Sequence, residues 1–264
     1  MSLEIRSVDK MFSTKSGAST QHVLRGVDLS IATGEFVSFI GHSGCGKSTL
    51  LNIVGGLLRA DRGEVLLDGQ PVSGPGPDRA MVFQNYSLLP RMSLFDNVLQ
   101  ATRAARPDRG RARNDEVVER FLRAVGLWEH RSKRPAQVSG GMQQRCAVAR
   151  AFAVSPRVLI LDEPFGALDA LTRARLQVQL LELWQGEDST EMVLMVTHAI
   201  DEAIALADRV VVMGNPPWPS VVEVIDVDLP RPRMAEALSA NPAYHALHHE
   251  LLGLLTKYDP AHAA

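Results

Sequence analysis

The segment Gly41-His42-Ser43-Gly44-Cys45-Gly46-Lys47-Ser48 constrains this chain more than any other. It fits the pattern G-x-x-x-x-G-K-[ST] at every fixed position. Such a loop works between a buried strand and a helix, because its glycines curl the backbone until several N–H groups face one point. The flanks agree with that demand. Glu35-Phe36-Val37-Ser38-Phe39-Ile40 reads as a buried strand, and Lys47 to Leu58 is apolar without a strand breaker, which predicts a helix. The helix N-terminus adds its positive dipole end, so the whole is a cradle for phosphate groups. Lys47 brings a positive charge to the β- and γ-phosphates. Ser48 offers a hydroxyl to Mg²⁺, assisted by Thr49.

Other segments predict what surrounds the loop. Leu3 to Val8 and Val27 to Ile31 alternate apolar and polar residues with period two, as half-buried strands do. The polar stretch Ser13 to His22 reads as a hairpin loop, and Gly63 to Leu67 as a short strand. From Leu94 to Ala153 the pattern is helical, with the Arg-rich span Arg103 to Arg113 read as a solvated loop. Arg157 to Asp162, Met192 to Thr197 and Arg209 to Met213 are apolar runs separated by helical stretches, which implies parallel strands covered on both faces. The Pro-rich stretch Asn215 to Pro219 reads as a boundary before a tail. Tyr244 to Leu255 reads as an amphipathic helix with Leu247, Leu251, Leu254 and Leu255 on one side. His245 and His249 stand at i, i+4 there, but a metal site needs more ligands than Glu250 alone adds, so a packing helix is expected.

A second catalytic element should sit at a strand end. Asp162 closes the apolar run Val158 to Leu161, and Glu163 follows it. Alone, such a pair is a turn or a helix cap. Beside a phosphate loop, Asp162 becomes a Mg²⁺ ligand and Glu163 a general base for the attacking water.

Composition excludes several classes. The 264 residues carry 28 Lys plus Arg against 30 Asp plus Glu, a net charge of −2, which argues against a nucleic-acid binder. No stretch reaches the roughly 18 mostly apolar residues of a membrane span. Glu4, Arg6, Asp9 and Lys10 interrupt any signal-peptide apolar region. With two cysteines, Cys45 and Cys146, a disulfide framework is not expected and a reducing cytoplasm fits.

Val138-Ser139-Gly140-Gly141-Met142-Gln143-Gln144-Arg145, placed between the phosphate loop and Asp162, resembles the signature motif of the ATP-binding cassette (ABC) family. Other family elements follow in order. Gln84 matches the Q-loop glutamine, Gly166-Ala167-Leu168-Asp169 resembles the D-loop, and His198 matches the switch histidine. Phe12 sits where the family stacks an aromatic on adenine. The resemblance spans residue 1 to about residue 232. It implies that Gln84 reaches the Mg²⁺ region, that His198 contacts the γ-phosphate and that Ser139, Gly140 and Gly141 hold ATP bound by a second copy, in a head-to-tail dimer.

The resemblance implies an α/β P-loop NTPase (RecA-like) core with an N-terminal antiparallel β-subdomain and an inserted α-helical subdomain. The expected division is residues 1–85 for the β-subdomain and first part of the core, 86–155 for the helical signature subdomain, 156–214 for the second part of the core and 215–264 for the tail. More narrowly, Gly41 to Asn52, Gly74 to Pro90 and Val224 to Arg233 resemble ATPase subunits of the nitrate, cyanate, taurine and alkanesulfonate importers. That branch implies integral-membrane permease subunits, an indirect solute-binding protein, and a peripheral place on the cytoplasmic face of the cell membrane. Residues Asn85 to Pro90 favour nitrate, nitrite or cyanate, with sulfonate, taurine or bicarbonate as the alternative. Arg91, Ala199 and Asn215 to Pro219 depart from the pattern of the relatives, whereas Met142 departs from the family consensus but is frequent in this branch. The rival classes are a soluble cassette of translation or DNA repair, a kinase- or GTPase-type P-loop enzyme, and a nucleotide-binding regulator without turnover.

Overall fold

The computed structural model describes residues 2–13, 20–166, 168–186, 190–233 and 238–259. Of the expected hairpin loop Ser13 to His22, residues 14–19 lie outside the described residues, as does Ala167 of the D-loop segment, while Ser13 and Thr20 to His22 are paired strand rather than loop. The chain forms two compact units, one of Met1–Pro75 with Met192–Ala264 and one of Gly76–Glu191.

The first unit carries two sheets. Strands β1 (Ser2–Ser13), β2 (Thr20–Ala32), β4 (Arg62–Leu67) and β5 (Gln70–Pro71) form an antiparallel sheet in the order β2-β1-β4-β5. Strand β1 runs on past Val8 to Ser13, but its alternation slips phase at Arg6 and Ser7, both exposed, and register shifts after Ile5, Val8 and Lys10 mark irregularities against β2. In the second sheet, β3 (Phe36–Gly41) lies parallel to β8 (Met192–Val196) on one side and to β9 (Arg209–Met213) on the other, and β10 (Val221–Asp226) closes the edge antiparallel to β9. Every residue of β3 and β8 is buried, as expected of parallel strands covered on both faces.

Helix α1 (Lys47–Val54) follows the phosphate loop and stops short of the expected Leu58, because Gly55 and Gly56 terminate it. Helix α6 (Ile200–Leu206) follows β8, and α7 (Pro242–Lys257) lies in the tail. Asn215 to Pro219 does not end the ordered chain. Strand β10 follows it and pairs with β9. Arg231 donates to the Leu206 carbonyl (2.6 Å), and Arg233 donates to Ile204 (2.9 Å), Ala207, Val227 (2.9 Å) and Leu229 (3.0 Å). These two guanidinium groups cap the C-terminal end of α6, whose last carbonyls have no partner within the helix.

In the second unit, β6 (Arg79–Val82) and β7 (Val158–Asp162) are parallel. Helices α2 (Leu94–Ala105), α3 (Arg111–Ala124), α4 (Gly140–Ala153) and α5 (Ala170–Gln185) complete it. Of the span Arg103 to Arg113, expected as a solvated loop, residues 106–110 are that loop, while its two flanks belong to the end of α2 and the start of α3. Arginine is a good helix former, so the flanking arginines extend the helices on either side of the loop. Inside this unit Phe121 and Phe152 stack with centroids 6.4 Å apart. Three of these four helix starts carry a side-chain cap; α3 starts after Gly110 without one. Ser93 accepts from Asp96 N–H (3.0 Å), Ser139 from Met142 N–H (3.3 Å) and Asp169 from Thr172 N–H (3.0 Å).

Candidate nucleotide-binding and catalytic residues

In the first unit the phosphate loop leaves the C-terminal end of β3. Glycine is required at its two ends by contact. A Cβ on Gly41 would lie 2.4 Å from the Met213 carbonyl oxygen, and one on Gly46 would lie 2.7 Å from a Leu24 methyl and 2.9 Å from the Val23 carbonyl oxygen. Gly46 also holds φ +100° as N-cap of α1 and offers no side chain to cap it. No side chain at the cap therefore competes with a ligand for the start of α1. Lys47 is buried, with its ammonium donating to the Gly41 carbonyl (2.7 Å) and the His42 carbonyl (3.0 Å). Cys45 is also buried, and burial pushes its thiol pKa up against the opposing influence of Lys47. Ser43, Gly44 and Ser48 are exposed, and His42 and Thr49 are partly buried.

His198 leaves the end of β8, the strand beside β3, and is exposed. Its turn is held by a buried pair that the sequence reading missed. The Thr197 hydroxyl donates to the Glu202 carboxylate and accepts from Ala199 N–H (3.1 Å). An acid five residues after a Thr at a strand end was the available signal. The loop and His198 thus lie at the C-terminal ends of neighbouring parallel strands, where open α/β sheets bind ligands. Phe12 lies on β1, 42% exposed, with the Lys10 ammonium 5.4 Å from its ring centroid. That leaves an aromatic face open to solvent.

In the second unit Gln84 follows β6, and Asp162 with Glu163 ends β7. Gln84 Nε2 donates to Glu163 Oε2 at 3.0 Å, so two residues singled out separately in the sequence meet. Glu163 adopts φ +49°, in the left-handed region, and Phe165 behind it is fully buried. Tyr86 (φ +62°) and Ser87 (φ +46°) are also left-handed. Arg150 of α4 fixes them, donating to the Ser87 carbonyl (2.6 Å) and the Tyr86 carbonyl (3.0 Å). Burial lowers the Arg150 pKa from its usual value. In the sequence the only signal for this arginine is a lone cation in the otherwise apolar run Cys146 to Ala153.

The signature residues open α4. Ser139 caps the helix, a Cβ on Gly140 would lie 3.5 Å from the Tyr86 hydroxyl, and one on Gly141 would lie 3.1 Å from a Thr172 methyl. Asp169 caps α5, and its hydrogen bonds from the Thr172 backbone hold its carboxyl below the usual carboxylate range.

A strand–loop–helix with this pattern and these contacts defines a P-loop nucleotide-binding protein. The ABC transporter family model matches residues 24–166, and the chain belongs to that family. It is 51% identical to the nitrate import ATP-binding protein NrtD of Synechococcus elongatus over 253 residues, which are 96% of this chain and 91% of that protein. It is 47% identical to the bicarbonate transport ATP-binding protein CmpD of the same species, over 96% of this chain and 90% of that one. Against the nitrate transport protein NasD of Klebsiella oxytoca the identity is 45%, over 98% and 97%. The dimeric post-hydrolysis structure of the ATP-binding cassette MJ0796 bound to ADP and Pi matches with a TM-score of 0.75 and 29% identity, covering 86% of this chain and 99% of that one. The fold is the ABC cassette form of the P-loop NTPase, and the chain is a transport ATPase that hydrolyses ATP. Among the described residues no helix is long and apolar enough to cross a membrane.

Proposed function

We propose that this chain powers uptake of a small anion of the nitrate type (nitrate, nitrite or cyanate) through separate permease subunits. The observation that carries the solute is the 51% identity to a nitrate import ATP-binding protein along 96% of the chain. On this reading the chain works as a head-to-tail pair on the cytoplasmic face of the cell membrane, with a solute-binding protein on the other side.

Within that function, the N–H groups of residues 43–49 and the Lys47 ammonium hold the β- and γ-phosphates. Phe12 stacks on adenine. The donors assigned to Mg²⁺ fit a hard cation, since all are oxygens: the Ser48 hydroxyl, the Asp162 carboxylate, and the amide oxygen of Gln84, whose nitrogen is engaged with Glu163. When bound, Mg²⁺ supplies charge neutralisation on the phosphates. Glu163 takes the proton of the attacking water while the water oxygen bonds to the γ-phosphorus and the bond to the ADP oxygen breaks. Gln84 orients Glu163 and relays the state of the permease. His198 holds the γ-phosphate and the water. Ser139, Gly140, Gly141 and Asp169 serve the nucleotide of the second copy.

Replacing Glu163 with Gln keeps the shape of the side chain and removes the base. Turnover should fall by about 10² to 10⁴ with ATP affinity retained; unchanged turnover removes Glu163 from this role. The bicarbonate reading rests on the 47% identity to CmpD. ATPase activity of the complex reconstituted with its permease and binding protein separates the two. Stimulation by nitrate, nitrite or cyanate supports the proposal, stimulation by bicarbonate alone favours the second reading, and stimulation by alkanesulfonates alone overturns both.

A further inference from the structure

The tail of the first unit touches both of the elements assigned to the γ-phosphate. At one end of α7, the Tyr244 hydroxyl donates to Asp201 Oδ1 (2.7 Å), and His248 Nε2 lies 3.3 Å from the same oxygen. Asp201 stands in the first turn of α6, three residues after His198. At the other end, His42 Nε2 of the phosphate loop donates to the Leu255 carbonyl (2.8 Å), in the last turn of α7, where carbonyls lack helical partners. Leu251 between them is fully buried and anchors the middle of the helix.

The Pro-rich stretch adds a second tie. Asn215 Nδ2 lies 3.4 Å from the Ser43 carbonyl, and Trp218 packs edge-on against Tyr258, just beyond α7, with centroids 5.6 Å apart. The far end of α6 is capped by Arg231 and Arg233 of the same tail. Helix α6 is thus held at both ends by residues C-terminal to β10. From Tyr244 to Leu255 a helix is a stiff rod of about 16 Å.

We propose that α7 is a brace setting the switch-histidine turn against the phosphate loop, with Asp201, Tyr244 and His248 as positioning residues for ATP hydrolysis. The proposal rests on the reading that His198 and the phosphate loop serve the same nucleotide. Tyr244 and His248 touch no substrate; they hold the first turn of α6, and through it His198. The loop end of the brace acts on bound phosphate, because His42 belongs to the loop itself. A shift of the loop on ATP binding is then transmitted along α7 to His198 without passing through the sheet.

The test is steady-state ATPase kinetics of the full chain. Tyr244→Phe removes only the hydroxyl that reaches Asp201. It should lower kcat about fivefold and leave KM for ATP within about twofold, the share expected of one partly exposed hydrogen bond to a charged group. Asp201→Ala should act like Tyr244→Phe, Asp201→Asn should restore most of the rate, and the double variant Tyr244→Phe with Asp201→Ala should be no slower than Asp201→Ala alone. Unchanged kcat in Tyr244→Phe, or strict additivity in the double variant, overturns the brace. Lys47→Ala and His198→Ala separate the two readings. If both lose turnover while Tyr244→Phe does not, the site stands and the brace falls. If they keep turnover, the reading of the site itself fails.

Discussion

At the end of β3 the left-handed backbone positions are glycines: Gly44 at φ +84° and Gly46 at φ +100°. At the ends of β6 and β7 they are Tyr86, Ser87 and Glu163. A glycine takes that conformation without steric cost, whereas an ordinary residue there costs about 1–2 kcal/mol. The phosphate loop is therefore preset by its own composition. The Gln84 loop and Glu163 are held by bonds from elsewhere in their unit, from Arg150 to two carbonyls and from Gln84 to the carboxylate. Strain kept in place by distant partners is released when a partner leaves. The first arrangement suits a permanent binding cradle, and the second suits a part that changes state during the cycle.

The largest effect that would break this contrast lies in the loop. Gly46→Ala places a Cβ at φ +100° and 2.9 Å from the Val23 carbonyl oxygen, with no side-chain route of escape. Affinity for ATP, measured by equilibrium titration with a fluorescent nucleotide, should drop tenfold or more, since tenfold corresponds to about 1.4 kcal/mol. Retained affinity would mean that the loop does not depend on this conformation.

Next in size is Arg150→Ala, which removes both bonds to the strained pair. Bonds to a charged group are worth about 1.5–3 kcal/mol each, and water can replace part of that at the exposed Ser87 but less at the partly buried Tyr86. Turnover should fall about tenfold while nucleotide binding stays within about twofold. Equal losses in both would erase the distinction between the regions. Arg150→Lys, which keeps a donor but not the fork, should fall between the two.

The smallest effect concerns the two thiols. Burial pushes Cys146 up to about 12, with Arg150 opposing weakly. Cys45 is also raised by burial, but Lys47 opposes through charge and hydrogen bonds. The thiolate is the reactive form, so both should react slowly with iodoacetamide at pH 8, and Cys45 should be labelled first. Mass spectrometry of digested protein reads the order, and faster labelling of Cys146 would contradict it.

This contrast also explains what the sequence made legible. A loop whose conformation is encoded in glycines can be read locally, and so can strands β3, β7 and β8, whose burial is written as mostly apolar runs, interrupted only by Ser38 in β3 and closed by Asp162 in β7. The caps Ser139 and Asp169 are equally local. What escaped depends on residues far apart in the chain. Arg150 and Ser87 are 63 positions apart, and nothing in the stretch around Tyr86 announces a left-handed turn. Thr197 with Glu202 was near enough to read but looked like an ordinary helix start. The tail was harder still, because Arg231 and Arg233 satisfy carbonyls of α6 that the sequence presents as already helical.

Those two arginines bear on where this protein can be cut. The segment matched by the family model ends at residue 166, and every nucleotide motif is complete by His198. A boundary drawn on motifs would nonetheless strip the carbonyls of Ile204, Leu206 and Ala207 of their donors and turn the end of α6 into an open wound in the core. Arg233 comes after the last motif, yet the chain needs it to close the unit in which His198 stands.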